Sequence, residues 1–135
     1  VNSGGSKRVP VTNHYMYTYD NPEVIDVEAY ALDNYLLNED FDLVFIDIEG
    51  SEYFAMQGMA DILSQTKTLI VEFLPHHIIN VAGVKLSDFL GNIPNHLTKL
   101  TIPSKNKTYP LDIGMITLEQ MFESGQGDDG IIFHN

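Results

Sequence analysis

Residues 41–59 read FDLVFIDIEGSEYFAMQGM, and the rest of the chain is organised around this stretch. Leu43, Val44, Phe45 and Ile46 form an unbroken apolar run, the pattern of a strand covered on both faces. The run stops at Asp47, and Glu49, Gly50, Ser51 and Glu52 follow at once. Ala55, Met59, Ile62 and Leu63 then recur at helical spacing and share one apolar face, with Ser51 placed to act as N-cap. The stretch therefore reads strand, tight acidic turn, helix. In open α/β sheets ligands bind beyond the carboxyl ends of strands, so chemistry is expected around residues 47–52.

Downstream, residues 68–73 (TLIVEF) form a second nearly continuous apolar strand with an acid, Glu72, near its end. Two such strands joined by a helix make a right-handed parallel crossover, which brings Asp47 and Glu72 to one sheet edge. Residues 75–80 (PHHIIN) form the loop that follows, with a short helix over 86–93 and a strand over 96–102. Residues 103–110 read as a polar loop, Thr117 as the N-cap of a last helix, 125–130 as a break and 131–133 as a final strand.

Upstream, residues 9–11 and 24–27 read as short strands, and Ala29, Leu32, Asp33, Leu36 and Leu37 as an amphipathic helix. Residues 14–19 (HYMYTY) are aromatic and either pack on the domain surface or line a pocket; Asp20-Asn21-Pro22 then makes a turn. The first eight residues read as a flexible lead-in. Gly4-Gly5 has no apolar strand before it and no periodic helix after it, so it is not a phosphate-cradling loop.

At 135 residues the chain reads as one domain, 1–135, and its 44% hydrophobic content is that of a globular protein. The formal charge of −12, from 19 acids against 7 bases, argues against nucleic acid and anionic membrane surfaces as partners. No apolar run is long enough to span a membrane, and the first residues lack the apolar core of a secretory signal. With 0 cysteines, disulfides and thiolate chemistry are excluded, and a cytoplasmic location is the default expectation.

Asp47, Glu49, Glu52 and Glu72 around one edge cannot all ionise freely unless something compensates them. A divalent metal held by oxygens, a cationic ligand, or a carboxylate retained as a general base would each do so. Glu52 could instead complement the start of its helix, and Glu49 could be solvated. His76 and His77 follow the second strand; one of them could accept a proton or, with Glu72, ligate a metal. Gly50 permits a positive φ or the close approach of a ligand to the backbone. His14, His96 and His134 read as structural.

DLVFIDIEGSEYFAMQGM, preceded by VIDVEAYALDNYL and followed by TLIVEFLPHHIINVAG, resembles the C-terminal portion of the FkbM-type S-adenosylmethionine-dependent methyltransferases. The family pattern is matched by Asp47, Glu49, Gly50, Glu52, Gly58 and Glu72. The resemblance implies an α/β fold: the C-terminal half of a Rossmann-like class I methyltransferase sheet, mostly parallel, with helices on both faces. It implies O-methylation of a hydroxyl on a sugar or small metabolite, so the acceptor is a small molecule or glycan. On this reading Asp47, Glu49, Glu72 and His76 are catalytic, Asp47 and Gly50 meet the cofactor, and Glu52, His77 and Asn80 meet the substrate; no metal is assigned.

The family holds S-adenosylmethionine chiefly on a glycine-rich loop and an acid upstream of the matched motif. The resemblance therefore implies a domain entered midway, with weak or no cofactor binding by this chain alone. It also implies that the strand ending at Asp47 is an exposed apolar edge, covered by residues 1–25 or by a homodimer formed through residues 43–47. A catalytically incomplete fragment or a non-enzymatic binding module with an acidic, metal-binding edge is the alternative. A phosphoacceptor receiver domain is disfavoured, because it requires a proline soon after Asp47 and a lysine ending a late strand.

Overall fold

The computed structural model of the chain describes residues 6–19, 21–37 and 39–135. Gly4-Gly5 and Asp20 of the expected turn lie outside the described residues. The elements run α1 (Tyr15–Thr18), α2 (Leu32–Tyr35), β1 (Leu43–Ile46), α3 (Glu52–Gln57), α4 (Ala60–Leu63) and β2 (Thr68–Phe73). A single helical turn α5 (Pro75–His77) passes into a π-helical turn (Ile78–Ala82), followed by α6 (Leu86–Leu90) and β3 (Lys99–Ile102). A 3₁₀ turn (Pro103–Lys105), β4 (Lys107–Pro110), α7 (Leu111–Glu123) and β5 (Asp128–His134) complete the order.

The strands form one five-stranded sheet in the order β1-β2-β5-β3-β4. β1 and β2 pair in parallel, with Leu43 opposite Thr68 and Ile46 opposite Val71, across the α3–α4 crossover. That unit is the one expected from the two apolar runs. The expectation of a mostly parallel sheet is not met: β2–β5, β3–β4 and β3–β5 are all antiparallel. The reason lies in the connections. A parallel pair needs a crossover of about a dozen residues or more, and β3 is joined to β4 only through the 3₁₀ turn and Asn106, whose φ is 49°. β5 returns after α7 and is inserted between β2 and β3, running against both. β1, β2 and β3 thus point one way, and their carboxyl ends share an edge with the start of β5.

Leu69, Val71 and Phe73 of β2, Ile131 and Phe133 of β5, Leu100 and Ile102 of β3, and Leu118 and Met121 of α7 are buried in one core. Each such side chain contributes roughly 1.5–3 kcal/mol through removal from water. Among the described residues no helix is long and apolar enough to cross a membrane.

Local readings fail where tertiary partners decide. The helix expected from Ser51 onward is two helices, because the chain turns at Gly58 and Met59 and restarts at Ala60. Asp33 caps the second from a distance, its carboxylate accepting the amides of Asp61 at 2.9 Å and Ile62 at 3.1 Å. Residues 9–11 and 24–27 form no strand; strand propensity is realised only where a neighbour accepts the backbone bonds. α7 begins at Leu111 instead of after Thr117, whose hydroxyl donates to the Ile113 carbonyl one turn back. β1 is an edge strand with Leu43 and Phe45 more than half exposed (53% and 59%). The described part of residues 6–25 does not cover them; its first stretch runs to the far end of β1 and over the turn after β2.

Candidate active site

β1 ends at Ile46, and the chain reverses through Glu49 and Gly50, whose φ angles are 58° and 96°. Glu49 is an uncommon non-glycine occupant of the left-handed region, and its conformation is held by what surrounds it. Glu52 is turned inward and buried, and one of its oxygens accepts the amides of Ile48 at 2.9 Å and Gly50 at 3.1 Å. Glu52 therefore closes the turn from within; Ser51, expected as N-cap, makes no side-chain cap bond. The close approach that Gly50 permits is made by the protein itself, since a Cβ there would lie 2.6 Å from the Cβ of Val81 in the π-helical turn.

Glu72 stands near the carboxyl end of β2, where the ladder to β5 is irregular. Val71 pairs with Ile131 and Phe73 with Asp128, so Asp129 and Gly130 lie opposite the single residue Glu72. Such a bulge re-aims side chains next to it. Five residues on, after Pro75 opens α5, His77 is buried and its Nδ1 lies 3.0 Å from a Glu72 oxygen. The other ring nitrogen, Nε2, faces Glu49 at 3.8 Å. The histidine thus bridges acids from both parallel strands. His76 stacks at a tilt beside it, ring centroids 4.4 Å apart.

The stretch before β1 supplies the remaining side chains. The Lys7 ammonium lies 3.6 Å from the Glu49 oxygen that faces His77. Tyr17 is buried, donates its hydroxyl to the His76 carbonyl at 3.2 Å and meets the Asn80 side chain. Asn80 in turn accepts the Val11 and Thr12 amides on its carbonyl and meets the Thr12 hydroxyl at 3.0 Å.

Protonation follows from these neighbours. Asp47 is exposed yet held above its ordinary value, first by the partial loss of hydration at the strand end, then by the charges of Glu72, Glu49 and Asp129; His77 pulls the other way. Burial raises Glu52, against the pull of its backbone donors. His76 is held below the usual imidazole range by burial and by the charge of His77, so it stays neutral near pH 7. Burial raises Tyr17, which is a hydrogen-bonding group and not an anion.

The acids at the ends of the two parallel strands, Asp47 and Glu49 after β1 and Glu72 on β2, gather at one edge as their positions imply, and His76 and His77 join them. Glu52 and Gly50 belong to the framework of the turn. The aromatic run 14–19 leaves a surface and a pocket both open, and the structure sets Tyr17 beside His77; Lys7 and Asp129 were not legible, since nothing in their local sequence points to β1 and only the sheet order brings β5 beside β2. Among the described residues no group of three His, Asp or Glu side chains is arranged to hold a metal ion.

Comparison with known proteins agrees with the motif that spans β1 and β2. Residues 3–101 match the family model described as the methyltransferase FkbM domain. No curated protein and no solved structure matches the chain.

Proposed function

Because the chain belongs to the FkbM methyltransferase family, we propose that it serves the transfer of a methyl group from S-adenosylmethionine to a hydroxyl of a sugar or other small metabolite. The observation that carries the residue assignment is the buried Glu72–His77 pair, 3.0 Å apart, set beside the acids that end β1. A carboxylate on Nδ1 fixes the tautomer and orientation of an imidazole and makes its other nitrogen the better base.

The donor set at this edge suits a cationic methyl donor. Asp47 is open to solvent and gathers negative charge from Glu49, Glu72 and Asp129 around it. S-adenosylmethionine, when bound, supplies its methyl group on a positively charged sulfur. Asp47 and Glu49 hold that end of the site negative and orient the acceptor. An acceptor hydroxyl set against the pair would pass its proton to His77 Nε2, and Glu72 would stabilise the imidazolium that results. His76, neutral and tilted against His77, serves as the neighbouring base, and Asn80 lies on the turn that follows both.

Binding of the cofactor by this chain alone is expected to be weak. The Ile48 and Gly50 amides are already bonded to Glu52 and Val81 fills the space over Gly50, so the turn offers charge and no backbone cradle. The test is transfer of labelled methyl from S-adenosylmethionine to a panel of sugars and small alcohols, with His77→Ala and Asp47→Asn beside the unaltered chain. Transfer lost in both variants supports the assignment. Transfer that survives His77→Ala overturns the role of the pair. Absence of transfer together with tight divalent-cation binding in a direct titration favours a binding module.

A further inference from the structure

Residues 6–19 cross the acidic edge as a strap. Along them, Lys7 reaches Glu49 at 3.6 Å, the Val11 and Thr12 amides share the Asn80 carbonyl at 2.8 and 3.3 Å, and the Tyr17 hydroxyl meets the His76 carbonyl at 3.2 Å. Arg8 lies over the Phe54 ring at 4.0 Å, and Val11 sits against Gly83, where a Cβ would come within 2.7 Å of it. Among the described residues, the Val11 and Thr12 amides tie the strap to the body through one carbonyl, and α1 is a single turn of four residues. A segment that lies outside any strand ladder and carries one short helical turn opens at lower free energy than the core.

What the strap covers is the proton-accepting pair. Tyr17 packs 6.4 Å, ring to ring, from His77, and both are buried. Lys7 brings a positive charge to the oxygen of Glu49 that faces His77 Nε2, the atom to which a substrate proton would pass. With the strap down, His77 is buried and Glu49 is paired with the chain's own ammonium.

We propose that residues 6–19 are an autoinhibitory strap: closed, they shield His77 with Tyr17 and pair Lys7 with Glu49; open, they expose both to an incoming acceptor. This extends the methyl-transfer reading, but its test uses chemical access to His77 and so stands or falls separately from activity.

The experiment is the rate at which diethylpyrocarbonate modifies His77, followed by peptide mass spectrometry, with His134 at the opposite end of the sheet as internal reference. The whole chain is used in three forms: unaltered, Tyr17→Ala, and Thr12→Cys with Asn80→Cys. The chain has no cysteine of its own and the two side chains already meet at 3.0 Å, so an oxidised pair, verified by mass spectrometry, would staple the strap shut. Tyr17→Ala is expected to raise His77 modification by about tenfold with His134 unchanged. The oxidised pair is expected to lower it, and reduction to restore it. Amide exchange gives a second measure, with Val11 and Thr12 exchanging well before Leu69 and Phe133. Equal rates for oxidised and reduced forms, a rise in Tyr17→Ala shared by His77 and His134, or one common exchange rate for strap and core would each overturn the proposal.

Discussion

Nδ1 of His77 lies 3.0 Å from a carboxylate oxygen of Glu72, and both residues are buried although each carries an ionisable group. The geometry gives the ring one fixed donor direction and leaves Nε2 aimed at Glu49. Glu72→Gln keeps the shape and removes the charge. Methyl transfer is expected to fall about 10- to 100-fold with the fold retained. His77→Ala is expected to lower it further, by roughly 10²–10⁴-fold. Rates with labelled cofactor, read beside circular dichroism spectra, separate the two effects from unfolding.

Glu52 should register in the pH dependence of stability. Its folded-state value is raised by burial, so its favourable contribution is complete below the unfolded carboxylate value and declines as pH rises through the folded one. Glu52→Gln removes that decline. Relative to the unaltered chain, the variant should gain stability as pH is raised from about 4 to 7, where ordinary carboxylates ionise. Glu52→Ala leaves the Ile48 and Gly50 amides without their acceptor, and a loss of about 1–3 kcal/mol is expected. Urea unfolding of the three proteins across this range checks both statements.

Gly50→Ala meets two obstacles, a φ of 96° and a Cβ 2.6 Å from that of Val81. The expected loss is at least about 2 kcal/mol, from strain and overpacking together. Adding Val81→Ala should recover the steric part only. A double-mutant cycle on thermal unfolding would show this as a non-additive gain.

Asp33 bonds two amides at the start of α4 from 28 residues away in sequence. Asp33→Ala should cost about 1–2 kcal/mol, the price of a lost N-cap. Asp33→Asn should cost less, because one oxygen remains to accept. Equilibrium denaturation measures both.

Among the described residues nothing pairs with the outer edge of β1, and Leu43 and Phe45 are exposed there. We propose that a second copy covers it, and sedimentation should then show concentration-dependent dimers. Phe45→Lys, which places a charge on the edge, should abolish them without unfolding the sheet. A chain that sediments as a monomer at all concentrations would remove this pairing.

The β1–turn–α3 unit and the β2 strand were legible because their signals are local: apolar runs longer than any competing pattern, an abrupt change to acids, and helical spacing after it. The same runs placed Asp47 and Glu72 at one edge. The direction of β5 was not legible, since Ile131 and Phe133 alternate equally well in either orientation. Residues 103–110 look polar enough for a loop, and only the Asn106 turn and the facing strand make Lys107–Pro110 a strand. His76 and His77 are indistinguishable as neighbours in sequence. The turn at Pro75 and the reach of Glu72 decide which of them is paired, and the strap's role rests on contacts spanning some 60 residues that no local pattern records.

The irregular step in the β2–β5 ladder sets Asp129 outside the regular pairing while Ile131 and Phe133 remain fixed within it. Position 129 can therefore change its side chain without disturbing the interior. The sheet does not require an acid there, so in this chain the charge around Asp47 can be retuned at position 129 while the scaffold stays constant.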